Sequence, residues 1–100
     1  MKKVRFSRPA EFELFAAARY YESNAPGLGI DFLDKVDSAI QDIETHPYRW
    51  PIVRNYIRRR LLTRFPYGLL YSVDPDEIII LATMHLRRQP DYWLDRYDMI

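Results

Sequence analysis

Several residues that could carry out acid–base chemistry on a phosphate follow directly after an apolar run that predicts a core strand. The run "IIILATM" continues into "HLRRQPDYW", which supplies His85, Arg87, Arg88, Tyr92 and Trp93. A histidine can donate or accept a proton near neutral pH. Arginines can stabilise charge on phosphoryl oxygens without a metal, and aromatic rings can stack on unpaired bases. This combination would suit attack on a phosphodiester bond.

Plainer interpretations of the same residues stay open. A single histidine at a strand end is more often a surface or capping residue, and Tyr92 and Trp93 are more often used to close the edge of a core than to contact nucleic acid. The sequence contains no carboxylate cluster with metal-ligand spacing, no glycine-rich phosphate loop and no Ser/His/Asp triad. We therefore expect neither a metal nor another cofactor.

Charge is distributed unevenly along the chain. Residues 10–46 contain two bases and eight acids, a net charge of −6, whereas residues 54–88 contain seven arginines and three acids, a net charge of +4. All the bases in the second range are arginine, which makes bidentate contacts to phosphate or carboxylate. The pattern favours an anionic partner on one face, although a solubilising surface would also explain it.

The elements that would position these residues are a strand, two helices and three further strands. "KKVRFS" predicts the first strand, Ser7 and Pro9 predict the start of a helix, and "NAPGLG" ends that helix. The apolar stripes of the two helices consist of Phe12, Phe15, Ala16 and Tyr20, and of Leu33, Val36, Ile40 and Ile43. The short break between the helices predicts an antiparallel helical hairpin.

The second half changes to an alternating pattern. "YIRRRLLTRF", "YGLLYSV" and "IIILATM" predict a three-stranded antiparallel meander, because their connections are short. The predicted fold is therefore α+β, with a four-stranded sheet and the helical hairpin on one face. Ile57, Arg59, Leu61, Thr63 and Phe65 share one face of the first meander strand, and we expect Arg58, Arg60 and Arg64 on the other, open face. Ile79, Leu81, Thr83 and His85 share a face of the last strand.

The ends of the meander strands should bring the histidine and several arginines close together. The end of the last strand should meet the start of the strand before it, so His85 and Arg87 or Arg88 would lie near Arg60 or Arg64. We expect a compact cationic site on the open face with one titratable imidazole.

Length and composition limit the class of protein. One hundred residues, of which 48% are hydrophobic, predict a single domain over residues 1–100. The chain has no cysteine and no apolar run near the roughly 20 residues that a membrane helix needs. The first residues are basic but lack the apolar stretch of a secretory signal, so we expect no signal peptide. We expect a cytoplasmic protein.

Three segments in this order resemble the RelE/ParE superfamily of toxins from bacterial type II toxin–antitoxin modules, over roughly residues 3–96. They are the "GLGIDFL" opening of the second helix, the "RFPYGLLY" strand and the "HLRRQPDYW" ending. The resemblance implies the strand, helical hairpin and meander fold. It also implies a role in plasmid stabilisation and a cognate antitoxin, encoded nearby, whose acidic tail would pair with the arginines in a salt-sensitive way.

The resemblance leaves the mode of action open. RelE-like members cleave mRNA on the ribosome without a metal, which would make His85 or Tyr92 a proton-transfer group and Arg64, Arg87 and Arg88 contacts to the transition state. ParE-like members inhibit DNA gyrase and are not nucleases, and the same arginines would then dock the target. Gly68 stands where the nucleases commonly have a basic residue. Arg58, Arg60, Arg88 and Trp93 are candidate nucleic-acid or partner contacts. The alternative is a non-toxic interaction module that retains the fold.

Overall fold

A five-stranded sheet with two long helices on one face makes up most of the chain. The computed structural model describes residues 1–97. The elements are β1 (Lys3–Phe6), α1 (Arg8–Asn24), α2 (Leu28–Thr45), β2 (Ile52–Arg54), β3 (Ile57–Leu61), β4 (Tyr67–Val73), β5 (Glu77–His85) and α3 (Leu94–Tyr97). The predicted order of strand, two helices and meander is confirmed.

The sheet is mixed rather than purely antiparallel. Its strand order is β1-β5-β4-β3-β2, and β1 runs parallel to β5, with Lys3 opposite Glu77 and Phe6 opposite Ile80. The meander of β3, β4 and β5 is antiparallel as predicted. The prediction of four strands is wrong, because Ile52–Arg54 in the connection after α2 pairs with β3 as an additional edge strand.

Local signals in the sequence determine the helix boundaries. The Ser7 hydroxyl accepts a hydrogen bond from the Ala10 amide and so caps α1, and a proline follows in the first turn. At the turn into α2, the Glu22 carboxylate accepts hydrogen bonds from the amides of Gly27 and Gly29. Gly27 has a φ of 87°, a conformation that favours glycine. These contacts hold the two helices as a tight hairpin.

The face of α1 that packs on the protein differs from the predicted stripe. The buried side chains of α1 are Ala10, Leu14, Ala17 and Ala18. Phe12, Phe15 and Tyr20 are instead 71%, 46% and 60% exposed. Small alanines let α1 approach its neighbours closely, as shown at Gly29, where an added Cβ would lie 2.6 Å from the Ala18 carbonyl oxygen. The aromatic side of α1 therefore faces outward.

The sheet is covered on both faces. On the helix side, the core includes Phe32, Val36 and Ile43 of α2, packed with Leu69 and Ile80 of the sheet. On the opposite face, the side chain of Trp93 is 1% exposed and packs in a second cluster, whose other buried members are Ile57, Leu70, Ile79, Leu81, Ala82 and Met84. The expectation of an open second face is therefore wrong where the C-terminal segment lies.

The predicted faces of β3 are reversed. Ile57 belongs to the cluster around Trp93, so the neighbouring Arg58 and Arg60 point to the helix side. There Arg60 forms a 2.7 Å ion pair with Asp42 of α2, and Arg58 donates hydrogen bonds to main-chain oxygens of the loop after α2. The prediction that Arg58 and Arg60 lie on an open face is wrong, because Trp93 makes the opposite face a core.

Candidate functional site

A β-bulge in β5 sets the direction of His85. Tyr71 lies opposite Ile80 and Leu70 lies opposite Ala82, so Leu81 is an extra residue without a partner in β4. Before Leu81, the even-numbered residues of β5 face the helices, and after it the odd-numbered residues do. Ile79 and Leu81 contact the cluster around Trp93, whereas the Thr83 hydroxyl donates to the Ala10 carbonyl oxygen of α1. The prediction that Ile79, Leu81, Thr83 and His85 share one face is therefore wrong.

His85 lines a shallow pocket of about 250 Å³ between α1 and the ends of β4 and β5. Its ring packs edge-on against Tyr67, at 5.0 Å between centroids, and Tyr67 lies directly opposite it in the sheet. This confirms that the end of the last strand meets the start of the strand before it. Nδ1 of His85 accepts a 3.0 Å hydrogen bond from the Arg87 amide, which leaves Nε2 as the nitrogen available to a ligand.

A partly buried carboxylate forms part of the wall of this pocket. Glu13 of α1 accepts hydrogen bonds from the Tyr92 hydroxyl at 2.6 Å, from Arg96 at 2.8 Å and from the Thr83 amide at 3.1 Å. The Arg88 guanidinium lies 3.7 Å from the same carboxylate and 3.9 Å from the centre of the Tyr92 ring. Glu13 therefore faces two guanidinium groups, those of Arg96 and Arg88, and Arg88 is held between the carboxylate and the Tyr92 ring.

The chemical environment of Tyr92 does not suit proton transfer near neutral pH. Burial raises the pKa of its hydroxyl far above the ordinary value, and the hydrogen bond to Glu13 and the charge of Glu13 raise it further. The hydroxyl therefore stays protonated and acts as the donor that joins the C-terminal segment to α1. This placement supports a structural role for Tyr92.

The predicted cationic cluster does not form. Arg64 forms an exposed ion pair with Asp31 of α2 at 3.3 Å, and Arg60 lies with Asp42 on the helix side. Arg88 is the predicted arginine that reaches the His85 pocket. The side chain of Arg87 is exposed at the turn after β5 and has no ion pair among the described residues. Trp93 is buried and offers no surface to a ligand.

An exposed apolar surface extends from the pocket along α1, and the sequence analysis assigned its three aromatic residues to the apolar stripe of that helix. Phe12 and Tyr20 line the His85 pocket, and Phe15 lines a second shallow pocket of about 260 Å³ with Ile30 of α2. We call Phe12, Phe15, Tyr20 and Ile30 the α1 aromatic surface. Ile30 is 64% exposed. In the sequence, the alanines at 10, 17 and 18 indicate that the side of α1 opposite the aromatic residues is the buried one.

Comparison with solved structures supports the fold. A protein described as "Chromosomal ParDE TA system from P. aeruginosa" superposes with a TM-score of 0.64 at 19% sequence identity, over 87% of this chain and 98% of that chain. A search of curated protein sequences gave no significant match. At 19% identity, the likeness to the ParDE protein shows a shared fold.

The sequence also matches a family profile over residues 4–90, described as the ParE toxin of the type II toxin–antitoxin system parDE. This profile match places the chain in the RelE/ParE superfamily of toxins, and the shared fold agrees with it. Within it, the chain belongs to the ParE toxin family. No helix in the described part of the chain is both long enough and apolar enough to cross a membrane.

Proposed function

We propose that this protein is the toxin of a type II toxin–antitoxin pair and arrests growth by binding its target without catalysing a reaction. DNA gyrase is the target that the ParE side of the superfamily implies. The antitoxin neutralises the toxin by covering the α1 aromatic surface. The observation that carries the proposal is the family match over residues 4–90, together with the state of the candidate catalytic groups.

The arrangement of those groups favours binding over catalysis. Phosphodiester cleavage without a metal is favoured by cations that point at the phosphate next to the proton-transfer group. Near His85, the one arginine from the predicted set is Arg88, and its guanidinium is held against the Glu13 carboxylate and the Tyr92 ring. Arg64 pairs with a helix carboxylate, and the Tyr92 hydroxyl is held as a donor. An endoribonuclease site with these residues would first have to break the contacts of Arg88 and Tyr92 with Glu13 and the ion pair of Arg64 with Asp31.

The α1 aromatic surface has the chemistry of a helix-binding groove. Exposed aromatic side chains at successive turns of a helix can receive the apolar face of an amphipathic helix. The most exposed residue of this surface is Phe12, which is 71% exposed. Because Arg60, Arg64 and Arg88 are paired internally, we propose that apolar contacts dominate antitoxin binding. The association should then depend only weakly on salt concentration.

Two assays with the purified toxin test the mode of action. The first measures supercoiling of relaxed plasmid by DNA gyrase at increasing toxin concentration, with and without antitoxin. The second measures cleavage of a translated mRNA by primer extension. The proposal predicts inhibition of supercoiling that antitoxin reverses, and intact mRNA. Cleaved mRNA with unaffected gyrase would instead establish the ribonuclease, and inactivity in both assays, with no growth arrest in cells, would indicate a non-toxic module.

A further inference from the structure

Two side chains of the His85 pocket present hydrogen-bond donors that have no acceptor in the described part of the chain. Nδ1 of His85 accepts from the Arg87 amide, so the neutral imidazole carries its proton on Nε2, which is a donor in either charge state. The Arg88 guanidinium lies 3.7 Å from the Glu13 carboxylate. This separation is longer than a hydrogen bond, so the N–H groups of Arg88 stay available to a ligand.

The Tyr67 hydroxyl is a third donor in this pocket. It has no hydrogen-bond partner among residues 1–97, unlike the hydroxyls of Tyr71 and Tyr92. Burial raises the pKa of the Tyr67 hydroxyl above its ordinary value, so the group keeps its proton at neutral pH and can donate. The ring of Tyr67 packs against His85, and both side chains line the pocket.

The carboxylate of the pocket is already occupied by donors of the chain itself. Oε1 of Glu13 accepts hydrogen bonds from the Thr83 amide and from Arg96. Its Oε2 accepts from Tyr92 and from Arg96. Because two guanidinium groups, those of Arg88 and Arg96, face this one carboxylate, the cluster keeps one positive charge in excess. A group that enters the pocket must supply acceptors, and an anion fits best.

The walls and the size of the pocket indicate which kind of anion it accepts. Phe12, Ala16 and Tyr20 give it an apolar side, which suits the methylene stem of a side chain. Its volume of about 250 Å³ is below the roughly 300 to 1,000 Å³ of most small-molecule sites, so one side chain fits better than a nucleotide. One available guanidinium also matches one carboxylate, whereas a nucleic acid needs several cations for its phosphates.

We propose that the His85 pocket receives an acidic side chain of the antitoxin, whose carboxylate accepts hydrogen bonds from His85 and Arg88. This inference rests on the proposed function, because Phe12 and Tyr20 line the pocket and also belong to the α1 aromatic surface. An antitoxin helix that covers this surface therefore also covers the mouth of the pocket. The acidic side chain fixes the register of that helix, while apolar contacts supply most of the affinity.

Calorimetry of antitoxin binding to His85→Phe and Arg88→Gln tests this contact. Phenylalanine keeps a ring beside Tyr67 but has no donor, and glutamine removes the charge of a side chain that is 53% exposed. We expect each substitution to weaken binding about tenfold or more, the worth of a hydrogen bond to a charged group. The matched control is Arg49→Gln, which removes one exposed positive charge after α2 and should leave the affinity unchanged.

A double-mutant cycle identifies the carboxylate of the antitoxin. Each acidic residue of the antitoxin is replaced in turn by its amide, and each variant is titrated against the wild-type toxin and against Arg88→Gln. The proposal predicts one substitution that weakens binding to the wild-type toxin about tenfold. The same substitution should have little further effect on Arg88→Gln, because the two changes remove one contact. Additive losses for every acidic residue would overturn the inference.

The Phe12→Ala variant separates failure of this inference from failure of the proposed function. If Phe12→Ala weakens antitoxin binding while His85→Phe and Arg88→Gln do not, the antitoxin covers α1 without entering the pocket, and this inference alone is wrong. If none of the three variants changes the affinity, the antitoxin binds elsewhere and the proposed antitoxin surface is wrong as well. Loss of growth arrest in His85→Phe, with unchanged antitoxin affinity, would assign the pocket to the target and also overturn the inference.

Discussion

The hydroxyl of Tyr92 donates a 2.6 Å hydrogen bond to Oε2 of Glu13, which lies 79 positions earlier in the chain. The same carboxylate accepts hydrogen bonds from Arg96 and from the Thr83 amide, and its side chain is 12% exposed. One acidic residue of α1 therefore holds the end of β5 and the C-terminal segment together. That segment carries Trp93 onto the second face of the sheet.

Replacement of Glu13 by glutamine should destabilise the protein markedly. The variant leaves the partly buried Arg96 without a counter-charge and places an amide among its donors. We expect the free energy of unfolding to fall by about 2 to 4 kcal/mol, since removal of one partner of a buried pair is costly. Urea denaturation measures the change. The control is Glu11→Gln in the same turn, whose side chain is exposed; similar stabilities of the two variants would show that Glu13 does not hold these segments.

Stability should fall at alkaline pH because of Tyr71. This side chain is fully buried and donates a 2.6 Å hydrogen bond to the Pro47 carbonyl oxygen. Burial raises the pKa of its hydroxyl from 10.0 to about 12, against the opposing effect of the Arg58 charge. The folded state therefore keeps a proton that the unfolded state loses, so its contribution is present below pH 10 and is lost as the pH rises through 12.

The Tyr71→Phe variant isolates this effect from the other tyrosines. Between pH 9 and 11, Tyr71 should account for about 1 kcal/mol of lost stability by linkage. The variant has no hydroxyl to ionise at this position, so its unfolding free energy should decrease less over that range. Urea denaturation at several pH values provides the comparison. Parallel pH profiles for the two proteins would mean that Tyr71 ionises equally easily in the folded and unfolded states.

The turn between β3 and β4 stores backbone strain at Arg64. This residue has a φ of 77°, a left-handed conformation that costs a non-glycine residue about 1 to 2 kcal/mol. Arg64→Gly and Arg64→Ala both remove the exposed ion pair with Asp31, so their difference reports the backbone alone. We expect the glycine variant to be the more stable of the two by about 1 kcal/mol, measured as a difference in thermal unfolding. A more stable alanine variant would indicate that the turn is not strained.

Antitoxin binding should depend on the α1 aromatic surface. Because Phe12 and Tyr20 are exposed, Phe12→Ala and Tyr20→Ala should change stability by less than about 0.5 kcal/mol. Each should weaken antitoxin binding about 30-fold or more if it is a hot spot. Calorimetry at two salt concentrations measures this, with Tyr48→Ala, a similarly exposed tyrosine after α2, as the control. Unchanged affinity in the α1 variants, or a steep salt dependence, would place the antitoxin elsewhere.

The sequence predicted the order of elements well because the signals for it are local. Ser7, Pro9 and the glycines at 27 and 29 determine helix boundaries through contacts within a few residues. The antiparallel meander follows from its short connections. These features depend little on the rest of the fold.

The faces of the elements were harder to predict, because they depend on distant segments. The faces of β3 were assigned on the assumption that one side of the sheet is open, and burial of Trp93 against Ile57 reverses that assignment. In β5, the bulge at Leu81 changes the direction of His85 without any glycine to indicate it. In α1, the alanines pack inward while Phe12 faces outward. Of the residues predicted to converge, His85 and Arg88 line one pocket, whereas Arg60 and Arg64 pair with helix carboxylates elsewhere.

Growth arrest by the His85→Ala variant, expressed without antitoxin, is the most direct test of action by binding. The substitution removes the one imidazole of the pocket while the surrounding contacts of Glu13 remain. If the toxin acts by binding, the variant arrests growth at the same toxin level as the wild-type protein, and cellular mRNA remains uncleaved in both. A folded variant that still binds antitoxin but no longer arrests growth, beside mRNA cleavage by the wild-type protein, would contradict it.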